Sequence, residues 1–199
     1  WDPGRVLSAP TSQIAAPSSA TARSRATAAS GAMNAPPSEN ESGVTFTTAP
    51  FAQDMHLIGH PNANIWLSSS VDSANMFVYL EEVQADGAVS IITHGRLAAS
   101  YRRVSQAPYD TLGQPWHSGL EADQMPLEPG EVVEMSVALL PTSKIIPAGS
   151  RLRITVAGAD PRQRNLREIR IDPPPTLSVH YGDAQQSRVD LPIRPLGAR

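Results

Sequence analysis

Between residues 132 and 157 the chain twice alternates apolar and polar side chains with a period of two. Val133, Met135, Val137 and Leu139 interleave with Glu134, Ser136 and Ala138, and Leu152, Ile154 and Val156 interleave with Arg151, Arg153 and Thr155. Successive side chains of a strand point to opposite faces, so this pattern predicts two strands with one face on a core and the other in or near water. Upstream, residues 44–48, 65–70 and 76–83 are rich in β-branched and aromatic residues, and Pro50 stops the first of them. Asp86-Gly87 falls between residues 76–83 and 89–92, and because glycine accepts a positive φ the pair predicts a hairpin. Another strand is expected over 96–102, with Gly95 ending the turn before it, and Pro129-Gly130 sets the turn into the strand at Val132. Ile169/Ile171, Leu177/Val179/Tyr181 and Val189/Leu191/Ile193 supply three more short strands.

Two stretches interrupt this texture. Residues 1–42 contain 26 Ala, Ser, Thr or Pro and, after Trp1, Val6, Leu7 and Ile14, almost no large apolar side chain before Met33. Such a segment buries too little to offset the roughly 1–2 kcal/mol per residue of fixing a backbone. It is expected to be a linker or a partner-covering extension, with 43–199 as the sandwich domain. Residues 105–130 hold Pro108, Pro115, Pro126 and Pro129 with Gly113, Gly119 and Gly130, too irregular for a helix and too long for a tight turn. An ordered surface loop is expected there, held down by Tyr109, Trp116, Leu120 and Met125. In the connection 141–149, Ile145 and Ile146 are expected to tuck into one end of the fold.

Eight or nine strands without a helix cannot form one sheet without leaving an apolar face in water, so two packed sheets or a barrel are required. The fold class is therefore all-β, a jelly-roll-like β-sandwich of the galactose-binding-domain type, although the number of strands alone does not separate it from an immunoglobulin-type sandwich.

The formal charge of −3 is small and both signs are interspersed, so no extended field would gather nucleic-acid phosphates or an anionic membrane surface. No run approaches 18 apolar residues. Zero cysteines remove disulfides, thiolate chemistry and Cys-ligated metals, but do not choose between cytoplasm and a periplasmic or secreted location. A chain beginning at Trp1 is expected to be a trimmed or excised fragment.

Candidate chemistry is sparse. A nucleophile elbow needs Gly-x-Ser-x-Gly at a strained turn, and none occurs. His117-Ser118, with Glu121 and Asp123 nearby, is the nearest catalytic arrangement, but adjacent side chains need not meet and a third group must orient the imidazole. His56 and His60 have a metal-like spacing, yet Gly59 and Pro61 oppose a helix and no third ligand is evident. Asp160, Asp172, Glu81 and Glu82 form no spaced calcium loop. Trp66, Phe77, Tyr79 and Tyr101 could build an aromatic platform, and Arg162, Arg164, Arg167 and Arg170 a basic run, but core filling and a solvated rim are the plainer readings. No catalytic, cofactor-binding or metal residue is assigned, and no cofactor is expected. Tyr109, Trp116 and Trp66 are the candidate interface residues, because large rigid aromatics lose little entropy on docking.

Several segments also carry a family likeness. Asn64-Ile-Trp-Leu-Ser-Ser-Ser70, Phe77-Val-Tyr-Leu-Glu-Glu-Val-Gln-Ala-Asp-Gly87 and His94-Gly-Arg-Leu-Ala-Ala-Ser-Tyr-Arg102 are followed by Pro129-Gly-Glu-Val-Val-Glu134, Leu140-Pro-Thr-Ser-Lys144, Pro147-Ala-Gly-Ser-Arg-Leu-Arg-Ile154 and Ser187-Arg-Val-Asp-Leu-Pro-Ile193. In this order, over roughly residues 43–195, they resemble the C-terminal non-catalytic domain of the X-Pro dipeptidyl-peptidase and cocaine-esterase (CocE/NonD) serine hydrolases. Ser73-Ala-Asn-Met76 stands where that family commonly has an Asp-Thr-Asp-Phe-like stretch, so contacts made by those carboxylates do not carry over. The resemblance implies an accessory sandwich that packs on an α/β-hydrolase core bearing a Ser, Asp and His triad and limits its substrate cleft, in a peptidase, esterase or acylase. None of the triad maps onto this chain. The expected partner is thus an α/β-hydrolase domain or chain, with a homo-oligomer left open and no nucleic acid or membrane. The alternative function is a free-standing carbohydrate- or peptide-binding sandwich.

Overall fold

The computed structural model of the chain describes residues 19–23, 43–72, 74–160, 175–181 and 185–197. Twelve strands run through them in the order β1 (Ser19–Arg23), β2 (Gly43–Thr47), β3 (Met55–Gly59), β4 (Asn62–Ser69), β5 (Asn75–Val83), β6 (Val89–Ala98), β7 (Val133–Ala138), β8 (Thr142–Ile146), β9 (Arg151–Ala157), β10 (Thr176–His180), β11 (Arg188–Asp190) and β12 (Ile193–Pro195). Among the described residues the helical content is two short 3-10 turns, Ala99–Tyr101 and Glu121–Asp123. The expected run at Ile169 and Ile171, Asp172 and the basic run from Arg162 to Arg170 lie outside the described residues. β1 falls inside the Ala/Ser/Pro-rich stretch and pairs antiparallel with β10, Ser19 opposite His180.

Among the described residues all strand pairings are antiparallel and fall into three sheets. In the first, β4 pairs with β7 along one edge, and with β10 and β11 in succession along the other, while β1 flanks β10. The second has the order β2-β9-β5-β6, and the small third the order β12-β3-β8. One core fills the space between them. Ala63, Ile65, Leu67, Met135, Val137 and Val179 enter it from the first sheet, Met76, Val78, Leu80, Leu152 and Val156 from the second, and Leu57 and Ile146 from the third. The period-two pattern of β4, β7 and β9 is thus a sandwich pattern, with apolar side chains inward as expected.

β5 departs from that alternation because it is buried on both faces. Opposite its core-facing residues, Phe77 and Tyr79 pack with Ala157, and Glu81 accepts a 2.9 Å hydrogen bond from Thr155 Oγ1. The hairpin that follows is the predicted one. Gly87 has φ 90°, and Gln84 N–H donates to Ala88 O at 2.8 Å while Asp86 Oδ1 accepts from the Ala88 N–H.

Two local expectations are corrected. Gly95 is not at a turn, and no separate strand covers 96–102. β6 runs unbroken through Gly95 to Ala98, and residues 99–101 form the first 3-10 turn. Gly95 instead sits where β6 meets the end of β7, since a Cβ there would lie 2.4 Å from Ala138 O and 3.2 Å from Val137 Cγ2. Leu140 closes this seam, accepting from Thr93 Oγ1 at 2.6 Å and donating its N–H to His94 O at 3.0 Å. The second correction concerns Ile145 and Ile146, which lie on a strand rather than in a connection. Alternation therefore sends Ile146 into the core and leaves Ile145 exposed. Their neighbour Lys144 projects inward and places Nζ 2.8 Å from the Glu82 carboxylate, which also accepts from Ser150 Oγ at 3.1 Å. A buried charge on β5 is thus answered from β8.

Candidate functional site

The long loop between β6 and β7 is ordered by polar contacts at its base. Arg102 donates to the carbonyl oxygens of Ala99 and Met125, and Ser105 N–H donates to Trp116 O at 2.9 Å. The His117 ring bridges the loop to the first sheet, with Nδ1 3.0 Å from Arg103 O and Nε2 2.9 Å from Ser136 O. Gln114 Nε2 reaches His60 O at 3.3 Å. Only one end is sealed by a deeply buried side chain, Leu127. Of the four residues expected to hold the loop down, Tyr109 and Leu120 are instead 63% and 61% exposed, because these hydrogen bonds fix the backbone without them.

The same loop encloses two grooves. A groove of about 320 Å³ is lined by Val104, Tyr109, Asp110, Thr111, Gln114 and Trp116, among others, so the structure brings the candidate interface residues Tyr109 and Trp116 to one opening. An adjoining groove of about 420 Å³ shares Val104, Thr111 and Gln114 and runs onto Asn62 and Asn64 of β4. Trp66 is on this outward face of β4, half-buried, since it shares the parity of Asn62 and Asn64 while Ala63, Ile65 and Leu67 point inward. Glu134 and His180 sit opposite Trp66 on the neighbouring strands, and Arg188 lies 3.9 Å from Glu134 and 3.8 Å from Asp190. His180 Nε2 is 2.8 Å from Ser68 Oγ. The three aromatics therefore border one side of the molecule, two on the loop and one on the sheet beside it.

Other sequence candidates do not assemble into reactive groups. Ser118 Oγ donates to Asp123 Oδ2 at 2.5 Å, and the His117 nitrogens face carbonyl oxygens rather than Ser118. His56 is on β3 with Nε2 3.4 Å from Ser143 Oγ, and no group of three metal-ligating side chains occurs among the described residues. Glu81 and Glu82, adjacent on β5, point to opposite faces and so cannot share an ion. The aromatic platform divides as well. Phe77 and Tyr79 are buried on the second sheet, and the Tyr101 hydroxyl accepts from Gln124 Nε2, whereas Trp66 is on the outer face of the first sheet. Val104 and Leu112, which sequence patterning passed over as ordinary loop residues, prove to be exposed by 54% and 65%. No helix among the described residues is long and apolar enough to cross a membrane.

Comparison with known proteins gives this architecture its context. The family described as X-Pro dipeptidyl-peptidase C-terminal non-catalytic domain matches residues 4–189, which extends the likeness forward into the Ala/Ser/Pro-rich stretch. Two mycobacterial proteins, from Mycobacterium bovis and Mycobacterium tuberculosis and each described as a candidate serine esterase, are 36% identical over 154 residues. That alignment covers 75% of this chain and 24% of the relative, so the chain spans about a quarter of the length of the curated relatives it matches. Among solved structures, a CocE/NonD family hydrolase from Staphylococcus aureus superposes with a TM-score of 0.68 at 19% identity, covering 88% of this chain and 32% of that one. An α-amino acid ester hydrolase gives 0.59 at 17% identity, over 78% of this chain and 26% of that one. These structural likenesses speak for the fold. With the family match running through most of its length, the chain belongs to the X-Pro dipeptidyl-peptidase C-terminal non-catalytic domain family.

Proposed function

We propose that this domain serves a serine hydrolase of the peptidase, esterase or acylase type by docking on its α/β-hydrolase portion through the β6–β7 loop and the outer face of β4, so that it borders the substrate cleft. The observation that carries this reading is the loop itself. Its base is tied to the first sheet by His117 and to the β3–β4 connection by Gln114, yet Val104 and Tyr109 at the groove shared with Trp116, and Leu112 beside it, are turned out to water. A braced backbone presenting exposed aromatic and aliphatic side chains is pre-organised for docking, because little ordering entropy remains to be lost. The relatives supply a partner of suitable size, since about three quarters of each lies outside the segment matched here. Trp66 extends the surface along β4, with Glu134, Arg188 and Asp190 as a charged rim.

Intact mass and upstream coding sequence of the native polypeptide provide the first test, and a hydrolase portion ahead of this domain is expected. Tyr109→Ala and Trp116→Ala should then each weaken association of the separately produced domain with that portion by about tenfold. A native product ending upstream at Trp1, or saturable binding of a glycan or proline-containing peptide at the Tyr109–Trp116 groove without any docking, would replace this reading.

A further inference from the structure

Leu112 lies at the tip of the loop with φ 55°, and Gly113 follows with φ 80°. Gln114 N–H donates to Thr111 O at 3.1 Å, so Leu112 and Gly113 are the central pair of a tight turn with the positive φ pattern of type I′. Asp110 Oδ1 accepts the Leu112 N–H at 2.9 Å and fixes the entry to that turn. Asn, Asp and Gly suit both central positions, whereas a residue branched beyond Cβ with no polar atom is disfavoured in the left-handed region. Among the described residues Leu112 is the sole non-glycine with positive φ. Nor does folding recover the cost, because 65% of the side chain remains exposed.

Backbone strain of this kind persists where surroundings over-determine it, and it gathers at clamps and binding surfaces. We infer that Leu112 is the apolar knob of the docking loop, seated in an apolar recess of the hydrolase portion that completes the parent polypeptide. This rests on the docking role proposed above and names the contact within it. The occupant is that portion rather than a small ligand because a protruding side chain needs a concave partner, and the relatives carry about three quarters of their length beyond this domain. Tyr109, Asp110 and Thr111 precede the knob and line the 320 Å³ groove beside it, so the loop offers a projection and a hollow together. The matching surface is a recess flanked by a projecting side chain.

The experiment pairs two measurements on the 199-residue chain, its melting temperature and its affinity for the separately produced hydrolase portion by calorimetry. Leu112→Asn should melt at or above the temperature of the unsubstituted chain, because Asn tolerates the left-handed region, while docking weakens about tenfold or more. Leu120→Asn supplies the comparison, since Leu120 is 61% exposed on the same loop with an ordinary φ of −78°, and it should leave docking unchanged. A clear fall in melting temperature for Leu112→Asn would overturn the strain argument. Unchanged docking of Leu112→Asn alongside weakened docking of Tyr109→Ala or Trp116→Ala would overturn the knob and leave the docking role standing. If none of the three substitutions alters docking, the docking role itself fails. Self-association of the chain in sedimentation, abolished by Leu112→Asn, would make the occupant a second copy and overturn the assignment.

Discussion

Gly95→Ala should be among the most damaging single-carbon changes available to this domain. The added Cβ would stand 2.4 Å from Ala138 O and 3.2 Å from Ala138 C, both backbone atoms that no side-chain rotation can move aside. Relief requires β6 and β7 to separate by about 1 Å, taking ordinary carbon–oxygen contact as the target. The Leu140 seam, with bonds of 2.6 Å from Thr93 and 3.0 Å to His94, is the first thing such a shift would stretch. Overpacking of this sort costs about 1–3 kcal/mol, and weakening one or two of these bonds adds about 1 kcal/mol. A total of about 2–4 kcal/mol corresponds to a fall of about 4–16 °C in melting temperature for a domain of this size. Gly87→Ala separates sterics from backbone preference, because Gly87 has φ 90° with nothing within 4 Å of its virtual Cβ. It should cost only the left-handed penalty of about 1–2 kcal/mol. Thermal and urea denaturation give the totals, and hydrogen exchange gives the location, with the Leu140 amide losing protection in Gly95→Ala and keeping it in Gly87→Ala. A Gly95→Ala domain that melts like the unsubstituted one with an intact Leu140 amide would refute the seam.

Lys144→Met strands the buried Glu82 carboxylate and should destabilise by about 2–3 kcal/mol in urea melts, below the full cost of breaking a buried pair because the Lys144 side chain is 34% exposed. Adding Glu82→Leu to that variant should recover most of the loss, and a double variant as unstable as the single one would contradict the account. His117→Ala removes the bridge between Arg103 O and Ser136 O, so it should cost about 1–2 kcal/mol and speed amide exchange in the 103–118 segment more than in β4. Ser118 donates its hydroxyl to Asp123, so a serine-directed covalent reagent should leave it unlabelled on peptide mapping. An adduct at Ser118 would assign chemistry to this chain.

Strands whose burial is one-sided could be read directly from the chain. β4 and β7 each alternate because one face meets the core, and the Asp86-Gly87 pair announced its hairpin through a backbone angle that few other residues accept. β5 was legible as a strand, but its second buried face was not, since burial of Phe77, Tyr79 and Glu81 depends on what lies over the sheet rather than on a period of two. Gly95 misled for a related reason. A glycine in a strand signals either a turn or a close approach, and only the tertiary position of Ala138 O decides between them. At the candidate site, Tyr109 and Trp116 stood out as large aromatics in a proline-braced loop, and the structure brings them to one groove. Leu112 gave no such signal. Its importance comes from a φ angle and an exposure, and neither is written in residue type.

The way β4 finds its partners also bears on how the chain is made. One edge is satisfied by β7, but the other waits for β10 and β11, which come later than β7, with His180 of β10 lying 112 residues beyond Ser68. On the ribosome, therefore, a chain made as far as β9 still offers the open side of β4 to any passing β segment. Closure of that gap is a long-range event, which predicts slow folding.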